Sequence, residues 1–401
     1  MNNSRYKIKL SYGEYADRYP VHVLKRIERP TTIIHDEEVP SIDERESGFA
    51  MASRGEFGTS VQDEYKRFVS KYPLSGALDA FASLLGDFAD YHEHGYEFRE
   101  SVIPASSFSR LIPVAPEKIP GTSDPEAMAL HIKEVAYFLR ADLVGICTLP
   151  RYAIYSHRRP DGEPISLHHS HAIAIVIDQD WRTSNASNGH DWISNSMSFL
   201  SYSHSAFIAC ILAEYIRRLG YPAWAHHAMN YQVVLPPILL WAGLGEMSRI
   251  GDIVINPFLG PRFKASVVTT ELPLSSDKPI DFGLQDFCMK CKKCARECPA
   301  NAISDGDRVM YHGYQRWPLD VKKCTIFRIS NQKGAGCGTC IKVCPWNKPF
   351  TPFHRFINLT MRHIPFFRRF GIYGDDLLGY GKSHYEDKWW LDILQNSNKG
   401  S

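Results

Sequence analysis

The sequence predicts an α+β chain in which a large mixed core is followed by a small cysteine-rich unit. Three observations predict it. At 401 residues the chain is too long for one ordinary domain. Helix-period and strand-period segments alternate through its middle, and eight of its ten cysteines fall between Cys288 and Cys344. A composition of 44% apolar and 22% charged residues supports a sizeable core and excludes a disordered chain. The net charge of +2 gives no sign of a nucleic-acid or membrane-surface binder.

Four regions follow from the composition: 1–113, 114–280, 281–350 and 351–401. The first is polar and loop-rich, with a helix expected around Gly76 to Tyr91, and is expected to pack on the core. In the second, Ser123 or Asp124 can cap a helix running to Arg140. Pro125 fits its first turn, and Met128, Ile132, Val135 and Leu139 line one face. Ala141 to Leu149 and His171 to Ile177 read as strands, the latter short, apolar and β-branched. A helix is expected from Ser203 to Leu219, with Phe207, Ile211, Tyr215 and Leu219 inward and Gly220 as its stop. Val233 to Trp241, Asp252 to Ile255 and Ala265 to Thr270 then alternate with glycine-rich turns. The aromatic tail, including Phe353, Phe356, Phe366, Phe367, Phe370, Trp389 and Trp390, is expected to pack back on the rest.

The apolar run Leu235 to Leu244 is broken by Pro236 and Pro237 and is too short to cross a bilayer. The N-terminal residues carry no apolar stretch behind their basic ones, and every Arg-Arg pair is internal, so a cytoplasmic protein is expected. In that reducing compartment clustered cysteines read as metal or redox ligands, not disulfides.

The cysteines form two groups. The first is Cys288-x2-Cys291-x2-Cys294-x3-Cys298-Pro299, and the second is Cys324-x12-Cys337-x2-Cys340-x3-Cys344-Pro345. The C-x2-C-x2-C-x3-C-P run belongs to two-cluster bacterial ferredoxins, in which the fourth cysteine crosses to the other cluster. By that rule Cys288, Cys291, Cys294 and Cys344 hold one [4Fe–4S] cluster, and Cys298, Cys324, Cys337 and Cys340 hold the other. The competing reading is a pair of structural zinc sites, which usually come as separated C-x2-C hairpins. Lys290, Lys292, Lys293 and Arg296 can offset cluster charge, dock an acidic donor, or form a solvated basic face. Cys147 and Cys210 read as buried structural thiols. Two adjacent clusters form an electron relay, and the large preceding region implies a terminus that accepts single electrons.

From Tyr202 to Pro345 the chain resembles the reductive dehalogenases. The resemblance rests on Tyr202-Ser-His-Ser, AEYIRRLGYPAWAH, AGLGEMSRIGD, NPFLGPRFKASVVTTELPL, DKPIDFGLQDFCMKCKKCARECPANAIS and CGTCIKVCPWN, in that order. It implies a nitroreductase-like core holding a base-off corrinoid (cobalamin), fed by the ferredoxin-like two-[4Fe–4S] domain. It further implies a reducing cycle at cobalt in which Tyr202 donates the proton and Lys264 pairs with it. The pairing makes chemical sense, since a lysine cation stabilises the tyrosinate left after proton transfer and can hold a phenolate or carboxylate. Asn230 and Arg262 are weaker candidates beside them. Gly243, Gly245 and Gly251 lie where backbone can approach the corrin tail.

The run Asp90-x-His92-x-x-Gly95 fits a cobalt-ligating pattern but lies outside the resembling region, and chance is the better reading. His168-His169 and His226-His227 read as structural. The function implied is reductive removal of halogen from a small, halophenol-like organohalide. Electrons would come from a separate ferredoxin, flavodoxin or reductase, because the chain stops soon after the clusters. The alternative is an epoxyqueuosine reductase, which shares the corrinoid and the clusters but uses an aspartate donor and acts on a tRNA base. Tyr202, the x12 gap and the neutral charge argue against it.

Overall fold

The computed structural model describes residues 19–67, 71, 74, 77, 79–82, 85, 114–159, 162–334, 336–391 and 393–394. Most of the helix expected from Gly76 lies outside these residues, as does the Asp90–Gly95 run. Within the former, Ala77 and Leu85 are helical and Asp79–Ala82 is a 3-10 turn.

Two short helices, α1 (Gly48–Ser53) and α2 (Thr59–Lys66), precede α3 (Pro125–Phe138). Helix α3 starts as its sequence requires. The Asp124 carboxylate accepts from the amides of Glu126 and Ala127, and Pro125 occupies the first turn. The core then adds β1 (Leu143–Thr148), β2 (His171–Asp178), α4 (Trp181–Ala186), α5 (Trp192–Arg218) and β3 (Ala223–His226). It closes with α6 (Leu235–Trp241), β4 (Glu246–Met247), β5 (Val254–Ile255) and β6 (Phe263–Thr270).

Strands β1, β2, β6 and β3 form an antiparallel sheet in that order. Alternation along β2 sends Ile173, Ile175 and Ile177 to the face covered by α3 and α5. Ala172, Ala174 and Val176 face a second core layer that includes α6 and Trp346. Cys147 and Cys210 are buried, one in each layer.

Helix α5 differs from expectation in start and face. It begins at Trp192, where the Asp191 carboxylate accepts from the Ser194 amide, 3.0 Å. Ile208, Leu212 and Ile216 face the sheet, whereas Phe207 and Ile211 are 45% and 40% exposed. Both stripes are apolar, and the sheet beneath selects the one displaced by a single residue. Leu219 is buried, Tyr215 is half-buried, and Gly220 ends the helix at φ +92°. By length and composition α5 could cross a membrane, but 56% of its most apolar window is buried inside the protein. The run from Leu235 is a helix, with Pro236 and Pro237 in its first turn where missing N–H groups cost nothing.

The cysteine-rich unit contains α7 (Leu284–Cys291), α8 (Lys293–Arg296), the hairpin β7 (Val309–Tyr311) and β8 (Tyr314–Arg316), α9 (Val321–Ser330) and α10 (Thr339–Lys342). Two buried arginines fasten it to the core. Arg249 donates to the carbonyls of Cys288, Ser304 and Gly306 and stacks on Trp317. Arg262 pairs with Asp178 at 2.9 Å and donates to Asn347 Oδ1 and the Lys348 carbonyl. At Gly189, φ +95°, a Cβ would lie 2.7 Å from Thr339 Cα, so α10 seats directly on this turn.

Gly243, Gly245 and Gly251 are also set by protein packing, not by an open cleft. A Cβ on each would strike, respectively, Arg26 and Lys278, Val254 and Ile255, or Leu319. Protein contacts thus account for the glycine at each position.

The tail folds into α11 (Pro352–His363) and α12 (Phe367–Leu377). It packs back through Ile357, Met361 and Ile372. Its other aromatics contradict the expected core packing: Phe353, Phe356, Phe366, Phe367, Phe370, Trp389 and Trp390 are all exposed.

Replacing Arg262 with alanine would strand the Asp178 carboxylate inside the protein. We expect Arg262→Ala to cost about 3–5 kcal/mol, seen as a lower denaturant midpoint. A midpoint within experimental error of wild type would show that this tether is not structural.

Candidate redox and substrate site

The eight cysteines couple to one another in two overlapping groups. Cys344, although last in sequence, interacts with Cys288, Cys291 and Cys294. Cys340 interacts with Cys298, Cys324 and Cys337, and also with Cys294. The sets are therefore adjacent, and each draws ligands from both halves of the unit.

A cavity walled by Cys288, Cys291, Cys294 and Cys344 lies within the first set. Among the described residues no three His, Cys, Asp or Glu side chains converge on a single-ion site. Thiols spaced around a cavity suit a cluster. Burial pushes the Cys291 and Cys324 thiols up to about 11 and Cys294 to about 12. Iron must offset that penalty when the thiolates form. Arg249 lines the same cavity, and its buried Nη2 has no hydrogen-bond partner.

Three of the basic residues interleaved with the first cysteines are engaged internally. Lys290 pairs with Asp286, Lys293 with Asp375 and Asp376, and Arg296 with Asp376 and Glu297. Lys293 and Arg296 thus bind α12, which accounts for their charge without an external partner.

A different group of side chains, on α5 and β6, stands on the side of the second set. Tyr202 and Ser205 lie one turn apart on α5, and Lys264 and Ser266 share one face of β6. Ser266 Oγ donates to the Ser205 carbonyl at 2.8 Å. That bond sets the register, and Lys264 Nζ stands 4.9 Å from the centroid of the Tyr202 ring. Tyr202 is thus mid-helix and half-buried, and Lys264 is on a strand; neither is a solvated turn residue.

Tyr231 stands beside Tyr202. Its phenol donates to the Ala265 carbonyl at 2.9 Å, and burial together with Tyr202 pushes it well above 10. Asp252 completes the group. It is exposed by surface area, yet so enclosed that burial pushes its carboxyl up against the pull of Arg316, Arg328 and Lys264. Exposure and enclosure together place Asp252 on the wall of an interior space. Arg328 also acts on Cys324 and Cys337, so it stands between that space and the second cysteine set. Its buried Nε has no hydrogen-bond partner.

Two expected residues lie elsewhere. Arg262 is consumed by the tether described above. Asn230 Nδ2 donates to the Ala225 carbonyl at 3.4 Å, closing the turn after β3. His169 and His226 both bond Thr269 Oγ1, as structural histidines would. Asp252 lies at the end of the AGLGEMSRIGD segment, whereas Tyr231 and Arg328 carried no local signal.

Residues 287–347 match the 4Fe-4S double cluster binding domain family. The tetrachloroethene reductive dehalogenase of Sulfurospirillum multivorans is 31% identical over 307 residues, which is 68% of this chain and 60% of that protein. The catabolic reductive dehalogenase NpRdhA, solved with 3-bromo-4-hydroxybenzoic acid, superposes with a TM-score of 0.85 at 40% identity. That match covers 93% of this chain and 51% of the solved one.

The chain is a homologue of the reductive dehalogenases. It spans 60% of the Sulfurospirillum relative and about half of the solved one. A reductive dehalogenase structure described in terms of B12-dependent dehalogenation matches with a TM-score of 0.86 at 39% identity, covering 96% of this chain and 54% of that chain. The epoxyqueuosine reductase of Atelocyanobacterium thalassa matches only 130 residues, 28% of this chain, at 29% identity.

In this homologue the crossover can be tested directly. Cys344→Ser and Cys288→Ser should each lower bound iron from about eight to about four per chain and leave the same cluster signal in electron paramagnetic resonance. Cys298→Ser should leave the opposite one. Identical spectra for Cys298→Ser and Cys288→Ser would contradict the assigned sets.

Proposed function

We propose that this chain is a corrinoid-dependent reductive dehalogenase acting on a small aromatic organohalide that carries a phenolate or carboxylate. The reading rests on one observation: the Lys264 cation stands over the Tyr202 ring and also acts on Asp252, whose neighbour Arg328 acts in turn on Cys324 and Cys337 of the second cysteine set. The balanced reaction takes a carbon–halogen bond, two electrons and one proton to a carbon–hydrogen bond and a halide ion. Cobalamin, when bound, supplies the strongly reducing cobalt centre at which the carbon–halogen bond is cleaved. Lys264 and Arg328 both act on Asp252, and such a group would be held between the Tyr202 and Lys264 pair and the Cys324 helix α9.

The chain's own residues divide the remaining work. Tyr202 Oη holds the proton that is delivered to carbon. Lys264 Nζ steadies the phenolate left behind and keeps the ring oriented. Lys264, Arg316 and Arg328 together outnumber the single Asp252 carboxylate, so the wall favours an anionic substrate. Enclosure keeps bulk water away from a low-potential centre. The names of the structural relatives support this substrate class, the solved complex with 3-bromo-4-hydroxybenzoic acid most directly.

Asp252 offers a second proton source, because burial favours its protonated form. It is the feature of the site nearest to an aspartate-dependent reductase. Protein loaded anoxically with iron, sulfide and cobalamin and reduced with titanium(III) citrate should release bromide from 3-bromo-4-hydroxybenzoate. Tyr202→Phe should keep its iron and cobalt yet release bromide at least about 100-fold more slowly. Asp252→Asn should keep the greater part of the rate. The reverse ranking would transfer the donor role to Asp252, and no bromide from wild type would refute the reaction itself.

A further inference from the structure

Helices α11 and α12 frame a surface groove of about 870 Å³ lined by Phe353, Phe356, Phe370 and Leu378. All four are exposed, Phe356 by 64% and Phe370 by 57%. None of Tyr202, Lys264, Asp252 or Arg328 reaches it. Contiguous exposed apolar surface of this kind marks an interaction site.

Two observations say what covers it. The first is position. Pro345 lines both the groove and the cavity of the first cysteine set, so the groove lies against that set. The second set borders the Tyr202 space instead. The relay therefore has an outer end at the groove and an inner end at the candidate active site. The second is charge. From Cys344 to Gly374 there are five lysines and arginines and no aspartate or glutamate. Lys348 and Arg368 are turned inward onto Asp375 and Asp286. Arg355 and Arg369 are exposed, and Arg355 and Arg362 line the groove. The one acid in the lining, Asp375, is buried and held by Lys293 and Lys348.

We infer that this groove is the docking site for the electron donor, an acidic redox protein of the ferredoxin class that seats an apolar patch on the phenylalanines. The inference rests on the proposed reading of the cysteines as cluster ligands. Each encounter passes one electron from the reduced donor to the first cluster, leaving the donor oxidised by one electron. Steering by the arginine rim predicts an association rate that falls as salt rises.

The test uses the full chain with its clusters rebuilt, mixed anoxically with a reduced acidic two-[4Fe–4S] ferredoxin or with dithionite. Loss of the visible iron–sulfur absorbance gives the rate. Arg355→Glu/Arg369→Glu and, separately, Phe356→Ser should slow reduction by ferredoxin at least about tenfold and leave reduction by dithionite unchanged. Equal ferredoxin rates in wild type and both variants would overturn the inference. If those equal rates came with lost sedimentation on phosphatidylserine vesicles, the face would belong to a membrane. If they came with a shift from dimer to monomer, it would belong to a second copy of the chain. Protein that gains no iron–sulfur absorbance would instead refute the cluster reading beneath the inference, independently of any variant.

Discussion

Arg249 and Arg262 hold the cysteine-rich unit against the sheet core, and the geometry of the site depends on that hold. A relay works only if its stations stay at fixed separations, and a hinge between core and unit would vary them. Arginine suits the task because its planar fork can serve several carbonyls at once while stacking on an aromatic face. Arg249 does both, with three carbonyls and Trp317. Arg262 adds a buried ion pair whose Asp178 partner ends β2. The crossover of Cys298 and Cys344 adds a second constraint. Each set spans two distant stretches of sequence, so metal binding and the folding of the unit are one linked equilibrium.

The chain also has a direction. The groove of exposed phenylalanines adjoins the cavity of the first cysteine set through Pro345, that set couples to the second through Cys294 and Cys340, and Arg328 links the second to Asp252 beside Lys264. Charge follows the same axis. The groove carries cations and a single acid, Asp375, which is buried and already paired with Lys293 and Lys348, and three cations stand around Asp252. An anionic donor at one end and an anionic substrate at the other fit the same electrostatic plan.

What the sequence disclosed was local, and what it hid was tertiary. The double-cluster pattern was legible because the ligands of two clusters are spaced by the turns that carry them, and residues 287–347 match a double-cluster family. The Asp124 cap and the Gly220 stop were legible because both act within one turn. The inward face of α5 was not, since two apolar stripes one residue apart compete and only the sheet decides between them. Tyr202 and Lys264 stood out only through resemblance; a lone tyrosine and a lone lysine carry no local signal. Asp252, Tyr231 and Arg328 become neighbours through the Ser205–Ser266 register and the placement of α9, neither of which a linear pattern encodes. The three glycines stayed ambiguous because a glycine needed against protein and a glycine needed against a ligand look alike in sequence.

The tail shows why an aromatic-rich segment is not by itself evidence of core. Ile357, Met361 and Ile372 already supply the contacts that dock α11 and α12. Five further phenylalanines remain outside, and leaving each in water forgoes about 1.5–3 kcal/mol of burial. The α11 and α12 pair could have turned these rings inward only by exposing the residues that anchor it, so the fold itself cannot bury both faces. A surface of that cost, placed beside the outer end of a relay and rimmed by arginines, is best understood as the half of an interface whose other half arrives with the electron.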